Sequence, residues 1–360
     1  MPKQPGFWSV EERLRELSEQ GDPLEKLLEL IDFELFRPVL DEALGSMDRS
    51  KGGRPPFDAI LKFKMLYLQA QHGLSFEATE HLVRDRLSWM RFCGLTIADP
   101  VPDANTLWDF RETLIGAGAL DQLFARLDQA IKDAGYLPMS GQIVDASLVA
   151  APRQHNSEEE KAAIKAGGAP RRSGPTSPPR RRRRTPTRVG RSRPAKARSR
   201  LMAPSSVTSR SPPSATSPHI GIDRRHGFIR RQKVTDAAAH DGARLREGLI
   251  DPTNTACDVW ADTAYRCQAN EGFLADRGQR SRIHRKKPAG KPMPQRTARA
   301  NAKKSKVRAT IEHVFAQQKA RMKLTIRSIG LKRAEATIIM ANIAYNMGRW
   351  RWFEGRIASA

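Results

Sequence analysis

Between Ser305 and Lys323 the chain carries Arg308, Glu312 and Lys319, four and seven residues apart, a spacing that places all three on one face of a helix. Val307, Ile311, Val314 and Phe315 recur at offsets of three and four and supply that helix with a separate apolar face to bury. A lone carboxylate ringed by Arg308, Lys319, Arg321 and Lys323 is suited to hold a divalent cation against a phosphate. The plain alternative is an i,i+4 ion pair between Arg308 and Glu312, worth about 0.2–0.5 kcal/mol. Which of the two applies depends on acids elsewhere. Asp145 interrupts the apolar, β-favouring run Ile143, Val144, Leu148 and Val149 together with Ser147, two residues on and on the same face. Asp262 follows a second extended run, Asp258 to Ala261. Burying a carboxylate in such a strand is costly unless its face meets water, a donor or a metal.

These acids sit in a chain of 360 residues, long enough for two or more domains, with a formal charge of +24. Such a charge repels itself in a compact state but gains counterion-release energy on a polyanion, which points to nucleic acid. A membrane surface is the rival. No apolar run approaches the roughly 20 residues needed to span a bilayer, and the first residues lack a signal-peptide pattern. Cys93, Cys257 and Cys267 have neither metal-ligand spacing nor an even count, so a reducing cytoplasm is expected.

The elements that must position the acids fall into two regions. From Ser9 to Gly135 the pattern is helical. Asp22-Pro23 starts a helix with Leu24, Leu27, Leu28 and Ile31; a turn at 51–56 precedes one with Ile60, Leu61, Met65, Leu66 and Leu68. Ser75 caps a helix running to about Arg84, Gly94 stops another carrying Trp89, Met90 and Phe92, and Asp103 caps the next. A last one carries Leu120, Leu123, Phe124, Leu127 and Ile131. The two helices joined at Gly73, with Lys62, Lys64, Arg84, Arg86 and Arg91 around them, are either a helix-turn-helix that docks on DNA or packed helices with solvated charges.

From Gln142 the period becomes extended. His219–Asp223 and Phe228–Thr235 read as a hairpin around 224–227, helical segments are expected at 243–249 and 268–277, and Ser281–Arg285 as a further strand. Three strands, helix, strand, helix, strand, helix is the order of a ribonuclease H-like α/β fold, a mixed sheet flanked by helices. In that fold the ends of adjacent strands and the last helix converge, which would gather Asp145, Asp262 and Glu312 as oxygen ligands for hard cations such as Mg²⁺. Two such ions roughly 4 Å apart activate an attacking hydroxyl and stabilise the leaving oxygen of a phosphoryl transfer.

With these motifs the chain resembles the DDE transposases of bacterial insertion sequences, in the group related to insertion sequences four and five. The matching stretches are Ile143–Ser147, Val234–Gly242, Val259–Arg266 and Ser305–Lys319, with 53–56 and Ser88–Leu95 in the helical region. The family's last signature is Tyr, two residues, Arg, three residues, Glu, six residues, Lys. The chain meets it at Arg308, Glu312 and Lys319 and departs at Ser305, where the signature has Tyr. The likeness covers about residues 50–155 and 219–350. It implies a helical DNA-binding and assembly domain over 1–137 and a catalytic domain over 138–355. Asp145, Asp262 and Glu312 would be catalytic and hold Mg²⁺ or Mn²⁺, with Arg308, Lys319 and Arg266 on DNA phosphates. It further implies double-stranded DNA, as element ends and target, for substrate, a homo-oligomer on DNA, no membrane, and a nucleoid-associated place in the cytoplasm. A nuclease of the same fold without strand transfer, and a non-catalytic basic DNA-binding protein, are the competing readings.

Asp236, His240 and Asp241 follow a strand and read as caps for the next helix rather than as a metal or acid/base cluster. Ile338–Trp352 reads as a helix covering the core, with Arg349 and Arg351 solvated or facing phosphate. Residues 168–218 fit neither region. From Arg171 to Pro218 there are thirteen Arg and one Lys among Pro, Ser and Thr, and no Asp, Glu, Phe, Tyr or Trp; without those fourteen cations the chain would carry +10. Such a composition cannot bury a core and is expected to be disordered, whether as a basic arm on DNA or as a stretch translated out of the register the fold requires. Motif-like sequence stops at Gly167 and resumes abruptly at His219, which favours the second origin. That origin would truncate the strand entering the hairpin, deprive Asp145 of a neighbour and impair the protein. Translating the gene in its other two forward frames across these codons is expected to give an open frame with Asp, Glu, aromatics and an alternating strand leading into His219; stop codons in both frames would exclude it.

Overall fold

The computed structural model describes residues 9–45, 55–152, 215–236 and 241–357. The helical region comprises α1 (Ser9–Glu19), α2 (Pro23–Leu30), α3 (Arg37–Leu44), α4 (Ala59–His72), α5 (Phe76–Asp85), α6 (Leu87–Cys93), α7 (Ala104–Ala117) and α8 (Ala119–Asp133). Side-chain oxygens of Asp22, Asp58, Ser75 and Asp103 accept backbone N–H groups of the first turns of α2, α4, α5 and α7, so the local cap chemistry sets where these helices begin. Gly73, Gly94 and Gly118 end α4, α6 and α7 in the left-handed conformation.

α4 is buried nearly all round, and Phe33, Phe36, Phe63, Tyr67 and Phe92 form an aromatic cluster against it. The cations expected to mark a DNA-docking face are used inside this region. Lys62 is buried with its ammonium over the Phe110 ring, Lys64 lies over Phe33 and Phe92, and burial lowers the pKa of both. Arg91 bonds Asp22, Glu25 and Ser18, Arg84 pairs with Glu80, and Arg86 stacks on Trp89. Packed helices therefore describe the Gly73 corner better than a free recognition helix.

The sheet follows. β1 (Gln142–Ala146) and β2 (Val149–Ala150) are separated at Ser147–Leu148, where one continuous strand was expected; Ser147 N–H instead donates to Pro218 O at 3.0 Å. β3 (Ala215–Asp223) and β4 (Ile229–Asp236) form the hairpin. After α9 (Asp241–Arg244) the expected helix breaks into a wide turn, Leu245–Leu249, with non-helical Glu247 and Gly248. β5 (Asp258–Ala261), α10 (Gln268–Asp276) and the two-residue β6 (Arg280–Ser281) come next, the last shorter than expected. α11 (Gln295–Ala316) starts ten residues before Ser305 and runs into a π turn, Gln317–Arg321; α12 (Leu331–Ile357) closes the chain. Spatially the strands run β4, β3, β1, β5, β6 with β2 extending β1 along β3; β1 is antiparallel to β3 and parallel to β5, and β6 is parallel to β5.

Most of the aberrant segment and His240 lie outside the described residues, but Ala215–Pro218 belong to β3, and Thr216 and Ser217 are buried. These residues carry the described strand entering the hairpin back to Ala215, and Asp145 has Ile220 opposite it. The reason is backbone pairing: Thr216 and Ser217 lie opposite Asp236 and Thr235 on β4, and Val149 opposite Thr216, which requires little of the side chains.

One core joins the helices to the sheet. α12 is its centre, buried from Ile338 to Met347, and packs against α4, α8 and β4. Asn346 makes a reciprocal amide pair with the backbone of Ile229 on β4, and Asn342 accepts from Gln318 of the π turn. Arg349, expected to be solvated, donates to His226 O and stacks on Trp352 and Phe353; Arg351 donates to Pro23 O. Among the described residues no helix is long and apolar enough to cross a membrane.

Arg230 of β4 ties three parts together, donating to buried Asp223 of the hairpin, to Asp128 of α8 and to Tyr136 O. Asp223 also accepts the N–H groups of His226 and Phe228 and so closes the turn. Replacing Arg230 by Leu leaves two carboxylates short of a partner and is expected to lower stability by about 3–5 kcal/mol, read as a lower urea midpoint.

Candidate functional site

β1 and β5 are parallel neighbours paired up to Val144 opposite Ala261, so the next residue of each lies at the same end of the sheet: Asp145, still paired with Ile220 of β3, and Asp262, just past the end of β5. α11 crosses that edge, packed on both strands by Ile311, Val314 and Phe315, and presents Arg308 and Glu312. The three sequence-predicted acids are thereby brought around one guanidinium. Arg308 Nη1 lies 3.1 Å from Asp262 Oδ1, Nη2 3.0 Å from Glu312 Oε1, and Nε 3.8 Å from Asp145 Oδ2. The last is an ion pair too long to be a hydrogen bond, and Nε is buried without a hydrogen-bond partner among the described residues.

Three carboxylates share one fixed cation, and their exposure differs: the Asp145 side chain is 14% exposed, Asp262 43% and Glu312 60%. Burial pushes Asp145 up to about 6, against the pull of Arg308 and the Ala146 N–H, with Asp262 and Glu312 adding to the rise. Burial also acts on Asp262, but the Thr263 N–H, Arg308 and His284 outweigh it and hold this carboxyl below its ordinary value. Arg308 loses some of its charge stability to burial and regains more from the acids, so its pKa is raised.

The other predicted residues lie apart from this cluster. Lys319 is exposed in the π turn, whose wider winding carries it off the straight line through Arg308 and Glu312, and among the described residues it has no hydrogen bond or ion pair. Arg266 donates to Ile283 O at 3.1 Å and lies 3.5 Å from Glu271.

Sequence reasoning missed His284, which is buried just past β6, donates its N–H to Ala261 O and places Nδ1 3.5 Å from Asp262 Oδ1. The sequence showed only a histidine in the extended run Ser281–Arg285; that this run lies beside β5 is seen in the structure alone. A groove of about 630 Å³ opens beside the acids, lined by Asp262, His284 and Arg308 and by Arg285, Lys286 and Lys287. Its cations suit a polyanionic strand.

Oxygen donors from two strand ends and a helix match a hard divalent cation. Among the described residues no three acids or histidines form a ready cage, because the Arg308 guanidinium lies between them. Three carboxylates around one guanidinium leave a net negative charge of the kind a divalent ion would neutralise, so the donor set fits one.

The site thus consists of two acids at adjacent parallel strands of a mixed sheet, a third acid on a crossing helix and a cationic groove. Residues 136–347 match the family described as Transposase DDE domain, and residues 12–113 the one described as Transposase domain (DUF772). The chain belongs to the DDE transposase family, as a bacterial insertion-sequence transposase. No solved structure matches it.

Because the folded-state pKa of Asp145 lies above the unfolded value of about 3.9, the folded protein binds the extra proton between these values. The ionised carboxylate therefore costs stability above about pH 6, and the cost vanishes below about pH 4. With divalent ions chelated, Asp145→Asn is expected to be more stable than the parent at pH 7.5 by up to about 3 kcal/mol, a figure that already includes the attraction to Arg308. The difference should shrink as pH falls through 6. Denaturation at three pH values measures it; a gain that grows towards acid would contradict the assignment.

Proposed function

We propose that this chain is a transposase of the group related to insertion sequences four and five, cutting the ends of its parent element and joining them to target DNA. In this reading residues 138–355 form a ribonuclease H-like catalytic domain, and residues 1–137 an assembly and DNA-binding domain. The strand order β4, β3, β1, β5, β6, with β3 antiparallel to both β4 and β1 and with β1, β5 and β6 parallel to one another, supports that fold. The observation that carries the function is the convergence of Asp145, Asp262 and Glu312 at one sheet edge beside a cationic groove.

Asp145, Asp262 and Glu312 would hold Mg²⁺ or Mn²⁺, which when bound activates the attacking hydroxyl and neutralises the leaving oxygen. Arg308 balances the acids, and its contacts with all three set how closely their oxygens approach. Asp262, held ionised by its donors, remains a ligand at lower pH than Asp145, which carries a proton up to about pH 6. The backbone phosphates of a strand lying in the groove meet Arg285, Lys286 and Lys287, while Lys319 and Arg266 offer charge further along. Synapsis of two DNA ends calls for at least a dimer on double-stranded DNA, in a nucleoid-associated setting.

Asp145→Asn, Asp262→Asn and Glu312→Gln are each expected to abolish Mg²⁺-dependent nicking and joining of element-end DNA while leaving binding by mobility shift within about twofold, since phosphate contacts carry affinity. Cleavage surviving all three changes in an otherwise active parent excludes the site. Nicks without joined products identify a nuclease, and salt-sensitive binding with no cleavage identifies a non-catalytic DNA-binding protein.

A further inference from the structure

The proposed acids account for Asp262 but not for the histidine held against it. His284 is 6% exposed and its ring spans from Asp262 to α11: Nδ1 lies 3.5 Å from Asp262 Oδ1, and Nε2 lies 3.1 Å from Asn301 O and 3.2 Å from Ser305 Oγ. Asn301 and Ser305 belong to the helix that presents Arg308 one turn and Glu312 two turns further on.

The histidine has little freedom to leave this position. Asn301 closes a reciprocal amide pair on the backbone of Arg285, the next residue, and Lys304 and Arg266 both donate to the carbonyl of Ile283, the preceding one. His284 N–H completes the seat on Ala261 O. Asn301 and Lys304 of α11, Arg266 after β5 and Ala261 of β5 thus fix the three-residue backbone segment 283–285, whose only ring faces a carboxylate. A surface histidine filling space would require none of this.

The ring has two ways to present an N–H to Asp262. With both nitrogens protonated, Nε2–H donates to the Asn301 carbonyl. With a neutral ring, the Ser305 hydroxyl donates to Nε2 and leaves the proton on Nδ1. Both end in Nδ1–H directed at Asp262, and both anchor the other side of the ring to α11.

We propose that His284 is a positioning residue for Asp262, fixing its carboxylate relative to the helix that carries Glu312, with Ser305 and Asn301 as the anchor of its ring. Arg308 holds Asp262 Oδ1 from one side at 3.1 Å, but a carboxylate that is 43% exposed at the end of a strand keeps rotamer freedom about a single such contact, and the histidine supplies the second contact that fixes its distance from Glu312. The inference rests on the reading of Asp262 as a metal-holding acid.

The test uses the full chain with His284→Ala, His284→Asn, His284→Gln and Ser305→Ala, beside Asp262→Asn. Mn²⁺ binding to the DNA-free protein is measured by calorimetry, nicking is followed as a function of Mn²⁺ concentration, and melting curves check the fold. Asn reaches as far as Nδ1 and keeps a donor towards Asp262, whereas Gln places its amide at the Nε2 end.

His284→Ala and His284→Gln are expected to weaken Mn²⁺ binding about 10–100-fold and to raise the half-saturating Mn²⁺ concentration more than they lower the saturated rate. His284→Asn is expected to stay within a few-fold of the parent, and Ser305→Ala to fall between. If His284→Ala binds Mn²⁺ as the parent does while Asp262→Asn does not, the positioning role is wrong and the site reading stands. If Asp262→Asn leaves Mn²⁺ binding unchanged, the site reading fails and this proposal with it. Should His284→Ala melt early, comparison of the folded Asn variant with Ser305→Ala decides: an Asn variant as impaired as one lacking Asp262 overturns the role.

Discussion

Three carboxylates are held around one guanidinium in a corner where only two of them are well exposed, and that unequal charge is the constraint to which the fold answers. Left to themselves, Asp145, Asp262 and Glu312 would move apart. They come from two strand ends and a helix, so each is fixed by a different set of hydrogen bonds and none can relax without disturbing its element. Arg308 offsets part of the repulsion and occupies the space between the acids, while burial, with a smaller contribution from the neighbouring acids, shifts the proton affinity upwards at the most buried of them.

What keeps the corner in place lies mostly behind it. α12 runs through the core with helices on one side and the hairpin on the other, gripping β4 through Asn346 and the π turn through Asn342. Arg230 makes the same connection with charge, joining α8 to the hairpin in a region from which water is excluded. Such buried ionic groups contribute little net stability compared with apolar packing, but they admit few alternative arrangements. The sheet edge therefore inherits its rigidity from interactions that are not near the acids.

The acids were legible because strand alternation is a strong signal and a carboxylate inside it must be explained; Asp145 and Asp262 stand where the pattern put them. Caps at Asp22, Ser75 and Asp103 were legible for the same local reason. The roles of Lys62, Lys64 and Arg349 were not, since a cation folded over an aromatic ring and one in water have the same sequence signature. The start of β3 was hidden by its composition: Ala215–Pro218 look like the run before them, and only the pairing partner on β4 distinguishes them. The extension of α11 back to Gln295 was hidden too, because its first turns are polar all round and carry no periodic apolar face. His284 required knowing that β6 lies beside β5, a tertiary fact.

Gly73 ends α4 with φ +60°, and a Cβ there would stand 2.5 Å from Met322 O and 2.7 Å from Lys323 O. Arg327 donates back to Gly73 O, so the chain leaving the π turn is seated directly on the corner between α4 and α5. The missing side chain at residue 73 is thus a matter of clearance as much as of turn geometry. It makes the helical region an abutment for the chain that follows the helix carrying Glu312, so that this helix is seated at one end on the strands of the aspartates and beyond the other on the α4–α5 corner.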